Sequence, residues 1–113
     1  MFDISPFHSN LLQWIDQFRV GPAAGDFAFI PRKKTPEVYG SADMVVTLWS
    51  TGLLEEYLEN YDKDQWIKIL QSFQNPKTGW FVDKTRQLGN FKQHTTAFTI
   101  AALVITYSNL TSE

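Results

Sequence analysis

Residues 66–81 read WIKILQSFQNPKTGWF, and this stretch decides the fold. Trp66, Ile69, Leu70 and Phe73 recur at three- and four-residue spacing, which puts them on one face of a helix. Asp62 is a natural N-cap, so the spacing predicts a helix over about 63–73. Asn75-Pro76-Lys77-Thr78-Gly79 then turns the chain. Working outward, a helix is predicted over about 9–18, with Leu11, Leu12, Ile15 and Phe18 as its stripe and Gly21-Pro22 as its stop. Another is predicted over about 38–58, behind the start signal Thr35-Pro36-Glu37. Gly52 breaks or kinks it, and in the shorter version residues 53–60 form a separate piece. The last spans about 94–107.

The helices at 38–58 and 94–107 are apolar nearly all round, which predicts burial on more than one side. Those at 9–18 and 63–73 are amphipathic. The order is therefore outer, inner, outer, inner. Residue matches support a repeat: Gly25-Asp26-Phe27 falls on Gly79-Trp80-Phe81, 54 positions later. The same offset sets Ser41-Ala42 on Thr95-Thr96, and Met44-Val45-Val46 on Phe98-Thr99-Ile100. Trp14-Ile15 falls on Trp66-Ile67 at 52 positions, which needs a two-residue insertion in the first turn. A plain four-helix bundle explains the helix count but not the matched loops, which are long for bundle connections. The expected organisation is one all-α domain over 1–113, with one repeat at about 9–58 and a second at about 63–108.

Composition narrows the function. The chain has 113 residues, 43% hydrophobic and 19% charged, enough apolar content for one folded core. Ten basic against twelve acidic residues leave a net charge of −2, without the basic excess that a nucleic-acid binder needs. With no cysteine there is no disulfide, thiolate metal site or cysteine nucleophile. His8 and His94 lie far apart and form no metal-ligand motif, and no cofactor is expected. The apolar run at 97–107 is interrupted by Thr99 and Thr106 and is far short of the roughly 20 residues of a membrane span. Met1–Pro6 carries no basic stretch followed by an apolar one, and a cytoplasmic location is the expectation.

The outer helix that ends in Gln74, followed by a turn with Gly79 and Trp80, resembles the helix-end motif of α/α-toroid proteins such as terpene cyclases and protein prenyltransferase β-subunits. Gln93-His94-Thr95-Thr96-Ala97-Phe98 is similar to the opening of an inner helix in such a ring. Related rings occur in glycan lyases, hydrolases and epimerases. The resemblance covers about 66–107, and 11–53 more loosely. It implies two helical-hairpin repeats of α/α-toroid type, with Gln74 satisfying helix-end backbone groups and Trp80 packing across to the next repeat. A closed ring needs several more hairpins than two. The expectation is therefore a first portion of a longer protein, or a chain completed by self-association.

The resemblance also implies a pocket at the mouth formed by inner-helix N-termini and the loops that enter them. That selects Glu37, Tyr39 and Asp43 from one inner helix and His94, Thr95 and Thr96 from the other, with Asp26, Trp80 and Asp83 from the loops. Tyr39, Asp43, Trp80, Asp83, His94 and Thr95 are the ligand-binding candidates: aromatic faces for a sugar ring, carboxylates as acceptors, free helix N–H groups for an anion. Plainer roles compete with each. A histidine opening a helix is more often a cap than a base, a first-turn aspartate favours the helix dipole, and a tryptophan is more often core than platform. Arg32-Lys33-Lys34 reads as a solvated loop, and Glu55, Glu56, Glu59 and Asp62 as an acidic surface. The acid motif of the cyclases and the zinc ligands of the prenyltransferases are missing, so no catalytic residue carries over. The reading is the N-terminal portion of an α/α-toroid protein handling a glycan or isoprenoid-like substrate, inactive as this chain alone. The competing reading is a non-catalytic, self-associating helical module.

Overall fold

A computed structural model describes residues 3, 5–28, 37–83 and 92–111. Its elements are helices: α1 (Ser5–Ile15) continued by a 3₁₀ turn (Asp16–Phe18), α2 (Val38–Ser50), α3 (Leu54–Tyr57), α4 (Lys63–Ser72) and α5 (Lys92–Thr111). No strand occurs among the described residues, and the chain is all-α. Asp62 caps α4 as its sequence position predicts, accepting the Asp64 N–H at 2.9 Å, a contribution of about 1 kcal/mol. Gly52, at φ +80°, follows the end of α2 in the left-handed region that glycine favours, so the shorter version of the second helix is the one adopted. The first helix begins four residues earlier than the stripe predicts, at Ser5, where the Asp3 carboxylate accepts the Ser5 N–H at 2.9 Å. Helix α2 begins at Val38 with Glu37 in the cap position; Thr35, Pro36 and the basic cluster at 32–34 lie outside the described residues.

The two hairpins end their outer helices in the same way. In the first, Ala28 N–H donates to Phe18 O and Val20 N–H to Asp26 O, both at 2.8 Å. In the second, Val82 N–H donates to Phe73 O at 3.0 Å and Asn75 N–H to Trp80 O at 2.8 Å. Antiparallel bridges pair Arg19 with Phe27 and Gln74 with Phe81. The inner helices then start at Val38 and Lys92, 54 positions apart. Upstream of the turn the structural offset is 55, which pairs buried Leu11 with Trp66 and Ile15 with Leu70. Matching Trp14 with Trp66 is thus out of register: Trp14 is 47% exposed, whereas Trp66 is completely buried.

Helix α2 is buried on several sides, as its composition predicts, through Val38, Ala42, Met44, Val45 and Leu48. Helix α5 differs. Its buried stripe is Thr95, Thr99, Ala102 and Thr106, while Ile100, Val104 and Tyr107 are exposed. The hydroxyls of Thr99 and Thr106 donate to the carbonyls of Thr95 and Ala102 at 2.7 and 2.6 Å, so their methyl groups are left for packing. Burial on more than one side does not hold for α5, because among the described residues it packs chiefly against α2 and α4 and its outer side stays exposed.

The core is assembled around Trp66. Its ring lies 5.7 Å from Phe27 and 5.4 Å from Tyr57, and Gly25 is so close that a Cβ there would overlap the indole. Gly40 of α2 meets the Ala28 backbone in the same intimate way. Backbone cannot yield as a flexible side chain does. Gly40→Ala is therefore expected to lower stability by about 1–3 kcal/mol in urea denaturation, whereas Gln65→Ala on the exposed face of α4 stays within about 0.5 kcal/mol.

Candidate functional site

The starts of α2 and α5 lie side by side, and each presents an i, i+4 pair within its first two turns; Asp43, expected in the first turn of its helix, falls beyond it. Tyr39 and Asp43 come from α2; His94 and Phe98 come from α5. The Tyr39 hydroxyl lies 2.8 Å from His94 Nδ1 and accepts from Thr95 Oγ1 at 2.9 Å. The direction of the bond between the phenol and Nδ1 follows the protonation of the imidazole. The Tyr39 ring sits 5.8 Å from the His94 ring and 6.2 Å from Phe98, and His94 and Phe98 stack nearly parallel at 6.2 Å. His94 is exposed, Tyr39 half-buried and Thr95 buried. The result is an aromatic surface edged by a hydroxyl–hydroxyl–imidazole chain.

Asp43 belongs to this neighbourhood. Burial pushes its carboxyl up to about 6 from an ordinary 3.8, and the charge of His94 pulls it part of the way back. Asp43 also lines a hollow of about 300 Å³ between α1 and α2, with Trp14, Met44 and Thr47. A carboxyl that changes charge near pH 6 beside an imidazole can hold or pass a proton and can accept hydrogen bonds from hydroxyl groups.

The other sequence candidates have structural partners. Asp83 Oδ1 accepts the Val38 N–H at 2.8 Å, so a residue of the second loop caps the inner helix of the first hairpin. Burial raises the pKa of Asp83, the Val38 N–H lowers it, and nearby Glu37, itself buried, raises it again. Thr96 Oγ1 accepts from Phe81 N–H at 2.8 Å and holds the second loop against α5. Asp26 Oδ2 accepts from Ala23 N–H at 2.8 Å and shapes the first turn. Trp80 lies outside the Tyr39–His94 network: the Lys92 ammonium is 5.4 Å from its ring centre, and Gln74 Nε2 donates to the Gly79 carbonyl at 3.1 Å within the turn. Tyr39, Asp43, His94 and Thr95 thus come together, while Asp83 bonds the backbone next to Tyr39 and Trp80 meets Lys92. Phe98 is the member that the sequence reading passes over, although it lies one turn beyond His94. Among the described residues, no three His, Asp or Glu side chains converge as a metal site requires.

No protein-family model, curated protein or solved structure matches this chain.

The position of Asp43 sets a pH dependence. Its folded pKa is raised, so the protonated form favours folding and that contribution is complete below about pH 4. It is lost as pH rises through about 6. Asp43→Asn removes the charged form, so the variant is expected to gain on the parent chain above pH 6 and to match it below pH 4. The gain is about 1 kcal/mol, well under the full value of the shift because the carboxyl is half exposed. Thermal unfolding of both chains across this range measures the difference.

Proposed function

We propose that this chain is a helical-hairpin array of α/α-toroid type that binds a hydroxyl-rich, sugar-like ligand at the mouth formed by the first turns of α2 and α5. The observation that carries this reading is the contact network of Tyr39, His94, Thr95 and Phe98, drawn from both hairpins and accessible at His94. Stacked rings offer a flat apolar platform for the C–H face of a sugar. The imidazole edge supplies a hydrogen-bonding group, and the Asp43 carboxylate accepts. This mixture favours a glycan over an isoprenoid chain, which needs a deep apolar cavity without a hydrogen-bonding edge. The role is binding: nothing in the cluster forms a nucleophile–base pair or a pair of opposed carboxylates.

Nuclear magnetic resonance titration tests this with cellotetraose, chitotetraose and tetragalacturonate as probes at millimolar concentration. At least one is expected to shift the ring signals of Tyr39, His94 and Phe98, and His94→Ala is expected to weaken that response about tenfold, equivalent to about 1.4 kcal/mol. If none of the three moves those signals, or if the shifts fall elsewhere, the binding proposal is wrong.

A further inference from the structure

Helix α2 carries Tyr39, Asp43 and Thr47 at four-residue spacing, so the three follow one another down one side of it. Tyr39 stands in the cluster at the mouth, and Asp43 is near enough to His94 for the imidazole charge to act on it. The same Asp43 lines the hollow of about 300 Å³ between α1 and α2, with Phe18, Trp14 and Thr47. A second hollow of about 400 Å³, lined by Phe7 and Leu11, adjoins the first through shared Trp14 and Thr47. The mouth and the two hollows are therefore consecutive, and Asp43 borders both the polar and the apolar part. The character of the walls changes along the line. Hydroxyls and an imidazole edge the mouth, whereas Phe18, Trp14 and Phe7 succeed one another along α1 and its 3₁₀ turn. The Trp14 and Phe18 rings meet edge to face at 4.8 Å, and Phe7 and Trp14 are 52% and 47% exposed. Helix rise sets Tyr39 and Thr47 about 12 Å apart, longer than a single sugar ring. Among the described residues that line the two hollows there is no cation, and Asp43 is the one acid.

We infer that the ligand of this site is a neutral aryl glycoside, its sugar on the Tyr39–His94–Phe98 surface and its aryl group passing Asp43 into the α1–α2 hollow beside Trp14. The inference rests on the sugar-binding reading and adds the class of aglycone. Continuity carries it. A group attached to a sugar at the mouth and directed along α2 enters the hollow without a break, because Asp43 borders both. Aromatic walls favour a flat ring, through edge and face contacts, over a flexible chain. With no cation in the lining and a carboxyl at the entrance, an aglycone bearing phosphate or carboxylate is disfavoured. At that junction Asp43 accepts from the sugar hydroxyls next to the glycosidic oxygen.

Nuclear magnetic resonance titration of the whole chain tests this with matched pairs: methyl and phenyl β-cellobioside, and methyl and phenyl β-chitobioside. Phenol serves as the aryl group alone. At least one phenyl glycoside is expected to bind about tenfold tighter than its methyl counterpart. It is also expected to shift the Trp14 indole N–H together with the His94 ring signals. In Trp14→Ala the ratio between phenyl and methyl compounds is expected to fall to about one, whereas His94→Ala weakens both members of the pair and keeps the ratio. Should Trp14→Ala lose its helical circular dichroism signal, Phe7→Ala replaces it, and the ratio is expected to fall about threefold. Equal affinity within each pair, with shifts confined to the mouth, overturns this inference and leaves the sugar-binding reading standing. Phenol bound at Trp14 as tightly as the phenyl glycosides overturns it too, because the hollow is then a site of its own. If no compound moves either set of signals, the inference is wrong whatever the tetrasaccharides do.

Discussion

The indole of Trp66 joins the two hairpins, and much of the rest follows from where it sits. It belongs to α4 in the second hairpin, yet its N–H donates to the carbonyl and hydroxyl oxygens of Ser41 in α2, at 3.2 and 2.9 Å. A buried indole N–H without an acceptor would be destabilising by about 1–3 kcal/mol, so the seat requires Ser41 as much as it requires apolar neighbours. It also requires the absence of a side chain at Gly25, whose Cα lies against the ring. Tyr57 lies beside the same indole and donates to the Ala24 carbonyl at 3.1 Å, tying α3 to the first turn. Arg19 bonds the Tyr57 hydroxyl and lies over the rings of Phe27 and Tyr61, at 4.7 and 4.3 Å, so the first turn is braced from its other side as well. With α4 fixed against α2, the second loop returns to the start of α2, where Asp83 finds the Val38 N–H. Helix α5 then begins beside Tyr39. The contact between Tyr39 and His94 is thus a consequence of the joint at Trp66.

The repeated turn shows one backbone solution reached with different side chains. Arg19 Nη1 reaches the Ala23 carbonyl at 3.4 Å in the first turn, and Gln74 Nε2 reaches that of Gly79 in the second. The matched glycines have unlike reasons as well. Gly79 has φ +83°, which disfavours any residue with a Cβ, and Gly25 is needed for the indole that crosses it. A residue-by-residue comparison therefore finds the Gly-x-Phe signature but mistakes its meaning. The bridges that hold Phe27 and Phe81 are backbone bonds, which the sequence expresses only through glycine placement and spacing.

That distinction explains what could be read in advance. The helix at Asp62 was legible because its cap and stripe are local signals, and so was the break at Gly52. The register of the first outer helix was not. Trp14 and Trp66 share a residue type, but burial is set by which face the turn brings inward, and that pairs Leu11 with Trp66. In the candidate site, Tyr39, His94 and Thr95 were legible as first-turn residues of two corresponding helices, whereas Asp43 falls one turn further on. The structural duties of Asp83 and Trp80 were not, since their partners, the Val38 N–H and Lys92, lie elsewhere in the chain. Phe98 was legible in principle, because a helix carries it to the same face as His94.

Helix α5 shows why an apolar-all-round sequence leaves orientation open. Composition alone points its isoleucines, valine and leucines inward, yet threonines and an alanine occupy the seam. Two effects favour this arrangement. A threonine whose hydroxyl bonds back to the i−4 carbonyl presents a methyl group much as valine does, with no unsatisfied donor left in the core. Small side chains also let α5 lie close along α2, its most extensive helix contact. Once threonine and alanine take the close seam, geometry turns Ile100 and Val104 to the far side of the helix. The same choice that packs the two hairpins together thus leaves an aliphatic ridge facing away from them.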